Sequence, residues 1–84
     1  MTAITESEQM VDRMRVAFAP EAVEFTKMML DDPIKATQDN YGRVMSFLSR
    51  MPEPEMKLAF IAAMADAGYP AATAAAITRA MGLA

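Results

Sequence analysis

The sequence predicts an all-α fold: a small bundle of about five short helices ending in an Ala-rich αα-hairpin. Three observations carry this reading. Apolar residues recur at three- and four-residue spacing along most of the chain, and no alternating run competes as a strand. Prolines and glycines fall where helices start and stop. Twelve alanines, the best helix formers, crowd the last twenty-seven residues, Leu58–Ala84.

The first helix is expected near Thr5–Ala19. Thr5-Glu-Ser-Glu8 has capping-box spacing, in which the threonine hydroxyl accepts from the Glu8 amide. Met10, Met14 and Phe18 then repeat every four residues. Pro20 closes this helix and suits the first turn of a second, Pro20–Leu30, whose Glu21 and Glu24 sit at the end that favours negative charge. That second helix places Ala22, Phe25, Met28 and Met29 near one face. Asp31-Asp32-Pro33 opens a third, with Asp32 as N-cap and Pro33 at the first position. It runs to about Arg50 through Ile34, Tyr41, Val44, Met45 and Leu48, weakened near Gly42.

Met51-Pro-Glu-Pro54 reads as a linker, because neither proline donates to a helix and each restricts its predecessor. Glu55–Ala67 is then apolar on nearly every side. Gly68 is a natural left-handed terminator, Pro70 restarts the chain, and Ala71–Met81 forms the last helix before Gly82. The chain is thus one domain, 1–84: charged amphipathic helices over 1–51, a proline linker at 52–54, and a low-charge hairpin over 55–84. Eighty-four residues suffice for one core.

Charge is distributed unevenly. Seventeen of nineteen charged residues lie in Met1–Lys57, leaving only Asp66 and Arg79 beyond. A helical third with so little charge must be covered, by the rest of the chain or by another chain. Ten methionines against four leucines give a soft, adaptable apolar content.

Several function classes are disfavoured. A net charge of −3 and a pI near 4.7 argue against nucleic acid, which needs clustered Lys and Arg. Asp66, Gly68, Pro70 and Arg79 interrupt the low-charge end, so no membrane span is expected. The N-terminus lacks the basic and apolar regions of a secretory signal, which suggests a cytoplasmic, otherwise intracellular, or virus-particle setting. With no His and no Cys, the usual general base, the strongest nucleophile and thiolate metal sites are missing. Aligning Gly42 with the glycine of a calcium loop puts Leu48 where a bidentate Glu is needed. No catalytic residue, cofactor or metal ligand is therefore assigned.

The stretch Ile61-Ala-Ala-Met-Ala-Asp-Ala-Gly68-Tyr69-Pro70, followed by Ala74, Ala75, Ile77 and Met81, resembles the first two of the three helices of ubiquitin-associated domains. The resemblance covers about twenty residues and implies a Gly-aromatic loop, with Tyr69 exposed, that meets a partner's apolar patch. Independently of it, the sequence points to a non-enzymatic protein that works by protein–protein contact, as a subunit, adaptor, inhibitor or assembly component. Its partner is another chain or a second copy, met through the Ala/Met-rich hairpin. The residues expected there, as core or interface, are Met56, Phe60, Met64, Tyr69, Ala72, Ala76, Ile77 and Met81. The alternative is a small-ligand or lipid-binding module with a Met-lined pocket between the N-terminal helices and the hairpin.

Overall fold

The computed structural model describes residues 5–31 and 39–83. Among them the chain is all-helical, with four helices: α1 (Glu6–Leu30), α2 (Asp39–Ser49), α3 (Pro54–Asp66) and α4 (Ala71–Ala80). The expected N-cap Asp32, Pro33 and the start of the third helix lie outside the described residues.

The count of four corrects the expected five, and the reason lies at Pro20. The two helices drawn on either side of it are one, α1, with Pro20 inside. A mid-helix proline removes the bond its amide would have given to the carbonyl four residues back, here Val16. Val16 is 76% exposed and Pro20 is also exposed, so water reaches that turn. On the opposite face Phe18, Ala22, Phe25 and Met29 form a 4,3,4 stripe that crosses the proline without a break and packs into the core. Burial of that stripe offsets the lost bond. At 25 residues and about 1.5 Å per residue, α1 accounts for most of the 44 Å long axis.

Both ends of the other elements follow their local chemistry. Thr5 caps α1, its Oγ1 accepting from the Glu8 amide at 3.2 Å. Pro54 sits in the first turn of α3, where a missing N–H is harmless. The α3 terminus is a Schellman motif: the Tyr69 amide donates to the Met64 carbonyl at 3.0 Å, and the Gly68 amide to the Ala65 carbonyl at 3.2 Å. Gly68 makes this possible with φ +116°. The same arrangement ends α4, where the Leu83 amide reaches Thr78 and the Gly82 amide reaches Arg79, both at 3.0 Å.

Helix α3 is the centre of the molecule, packed between α1 and α4, while α2 also meets α4. This is why the middle of α3, Leu58–Ala65, carries no charge. Ala59 and Ala63, four residues apart and both buried, leave room for close approach, and Phe60, Ile61 and Met64 fill the remaining space. Phe60 is fully buried and touches the other three phenylalanines. Its ring centroid lies 4.7 Å from Phe47, 5.8 Å from Phe25 and 6.1 Å from Phe18. Methionines 29, 51 and 64 complete the core. Among the described residues, no helix is long and apolar enough to cross a membrane.

Candidate functional site

The hairpin residues expected as core or interface divide by position. Phe60, Met64, Tyr69 and Ile77 are buried. Met56, Ala76 and Met81 are half-buried, and Ala72 is exposed. The alanines of α4 at 71, 72, 75 and 80 face solvent, so close packing through alanine occurs on α3 and not through these positions of α4.

Tyr69 is not exposed as expected: only 5% of its surface meets solvent. The cause is the helix terminus itself. Tyr69 follows Gly68 in the Schellman motif, at the position whose apolar side chain folds back toward the last turn, and it joins Met64 in the buried core. Burial, with a smaller contribution from nearby Tyr41, pushes its phenol above the ordinary value of 10.0.

The open apolar surface lies elsewhere, between α1 and α2. Two adjoining hollows of about 720 and 630 Å³ share Phe25, Met28 and Phe47 as their floor. The Phe25 and Phe47 rings stack at 4.8 Å, and Phe60 supports both from below. Met28 stands at the surface, 52% exposed. The α1 wall carries Glu21 and Glu24, and the α2 wall carries Arg43 and Ser46, continued by Arg50 just past the helix end. Among the described residues none of these four charges has an ion-pair partner within 4.0 Å. The groove is therefore apolar along its floor, acidic on one side and basic on the other.

Sequence reasoning missed this groove, although a signal was present. Glu21, Glu24, Phe25 and Met28 occupy positions i, i+3, i+4 and i+7 of α1. Arg43, Ser46 and Phe47 occupy the first three of these positions on α2, and Arg50 follows just past its end. Two stripes of opposite charge, each with one phenylalanine, mark two surfaces that meet through those rings.

A smaller hollow of about 260 Å³ separates α1 from α3 beside Val16, Ala63 and Asp66. Arg15 borders it, pairing with Asp12 at 3.5 Å and with Asp66 at 3.9 Å. Exposed pairs of this kind contribute little stability. Met28 is the one methionine lining the first two hollows and none lines the third, while Met29, Met51 and Met64 are packed in the core.

Two hydroxyls of the helices are engaged within their own turns. The Ser49 hydroxyl donates to the Ser46 carbonyl at 2.8 Å, and the Thr78 hydroxyl donates to the Ala74 carbonyl at 2.8 Å. Among the described residues no three acidic side chains converge on a metal-sized site. The chain matches no protein-family model, no curated protein and no solved structure. With its aromatic turned inward, the Gly68-Tyr69 turn also lacks the presented ring that the resemblance to ubiquitin-associated domains implied.

Proposed function

We propose that this protein works by contact with another polypeptide, as a small non-enzymatic subunit, adaptor, inhibitor or assembly component. The contact surface on this reading is the α1–α2 groove. The observation that carries it is the groove's chemistry: an aromatic and methionine floor left open between two walls of opposite charge, unpaired among the described residues. Interface centres favour aromatic residues and Met, rims are polar, and Arg is enriched. Methionine also lets the floor adapt to the side chain that enters it.

The Ala-rich α3–α4 hairpin then supports the groove instead of forming it, since Phe60 underlies Phe25 and Phe47. The small-ligand alternative would place an apolar anion against Arg43, Ser46 and Arg50. A shallow, two-walled groove suits the surface of a polypeptide better than a molecule that must be enclosed to bind well.

The test is a photoreactive amino acid in place of Met28, activated in the cell, with a second protein carrying it in place of Ala72. A covalent adduct to a polypeptide from position 28 is the expected result. Adducts from position 72 alone would return the contact to the hairpin. No polypeptide adduct from either position would overturn the reading.

A further inference from the structure

We infer that the occupant of the α1–α2 groove is the same groove of a second copy of this chain, related by a two-fold axis that runs along it. This rests on the reading of the groove as a contact surface and goes further by naming the partner.

Charge complementarity selects both the partner and the axis. A partner helix must bring positive charge to Glu21 and Glu24 and negative charge to Arg43 and Arg50, with apolar side chains between. A second copy supplies all three, because two acids accompany Phe25 on the α1 wall and two arginines flank Phe47 on the α2 wall. A face-to-face pair has its two-fold axis in the plane of contact. With the axis across the groove, α1 meets α1, and Glu21 and Glu24 face their own kind, as do the arginines. With the axis along the groove, α1 of each copy meets α2 of the other, and the acidic wall meets the basic wall twice. Only the second arrangement satisfies the charges, and it buries both copies of Met28 against the Phe25–Phe47 floor.

The size of the surface bounds the affinity. Ten residues line the two hollows together, against roughly 20–30 a side in a standard interface. The pair is therefore weak, with a dissociation constant of about 10 μM or higher. Opposed rim charges guide its orientation more than they tighten it.

The experiment is sedimentation of the full chain up to about 0.5 mM, with two reversed-wall variants. Glu21→Lys with Glu24→Lys makes both walls basic, and Arg43→Glu with Arg50→Glu makes both acidic. All four side chains are exposed, and helix content by circular dichroism checks that each variant folds. Glu24→Lys and Arg43→Glu singly serve if a double variant does not fold. The expected result is a concentration-dependent dimer for the unaltered chain and at least about tenfold weaker association for each variant alone. A one-to-one mixture of the two variants should recover association, because basic walls then meet acidic walls.

A monomer throughout the range would overturn the second copy as occupant. An adduct from position 28 to a different polypeptide would still leave the contact reading standing. Dimers that survive both reversals would place self-association on another face. Failure of the mixture to recover would overturn the opposed-wall arrangement.

Discussion

Phe60→Leu tests the packing that holds the groove in place. Phe60 is fully buried and is the only ring in contact with all three other phenylalanines. Leucine keeps most of the apolar volume, so the loss is mainly that of three ring pairs. At about 0.5–1.5 kcal/mol each, together with a small cavity, the expected destabilisation is about 2–4 kcal/mol. A domain of this length is stable by roughly 4–13 kcal/mol, so a large share is removed and Tm falls by about 10–25 °C. Phe18→Leu is the control, because Phe18 has one ring partner, at 6.1 Å, and should lose about 1 kcal/mol. Urea unfolding followed by circular dichroism measures both, at dilution sufficient to keep the chain monomeric. If Phe60→Leu were no more harmful than Phe18→Leu, the four-ring cluster would not be the organising feature of the core.

Three further perturbations read separate parts of the fold. Thr26 is 1% exposed, and its hydroxyl has no hydrogen-bond partner among the described residues, so Thr26→Val should stabilise by about 1 kcal/mol in urea unfolding; a loss of stability would mean that the hydroxyl is satisfied. Gly68→Ala should destabilise by about 1–2 kcal/mol, because φ is +116° although the added methyl meets nothing within 4 Å; D-alanine at the same position, introduced by chemical synthesis, should avoid that loss. Tyr69 has a folded pKa raised above the unfolded value, so its contribution is complete below about pH 10 and is lost as pH rises through the folded pKa. Tyr69→Phe should accordingly flatten the fall in urea midpoint between about pH 9 and pH 11, and an unchanged alkaline slope would contradict the burial of the phenol.

The all-α class was legible because helix ends are local events. Thr5, Pro54, Gly68 and Gly82 each act within one turn, and the sequence shows them without reference to the rest of the fold. Pro20 misled for the complementary reason. Whether a proline ends a helix depends on which face its missing bond occupies, and that face is set by packing on α3. The spacing of Phe18, Ala22, Phe25 and Met29 already carried the continuity, but only burial makes it decisive.

Tyr69 could have been placed from sequence. A glycine at C′ draws the next apolar residue back over the last turn, which favours burial over display. The groove could not be placed by local reasoning alone. It depends on Phe25 and Phe47, which are 22 positions apart in the chain, meeting over Phe60. The uncharged run Leu58–Ala65 within α3 was visible, and its central position explains it. The exposed alanines of α4 show that lack of charge and burial need not coincide.

Residue-by-residue methionine oxidation tests the location of the contact most directly. Met28 and Met10 are 52% and 43% exposed, while Met56 and Met81 are half-buried. In the dilute purified chain, mild peroxide followed by peptide mass mapping should modify Met28 and Met10 first. At working concentration in the cell, Met28 should be protected selectively while Met10 remains reactive. Protection at Met56 and Met81 with Met28 still fully reactive would contradict the α1–α2 groove as the surface through which this protein acts.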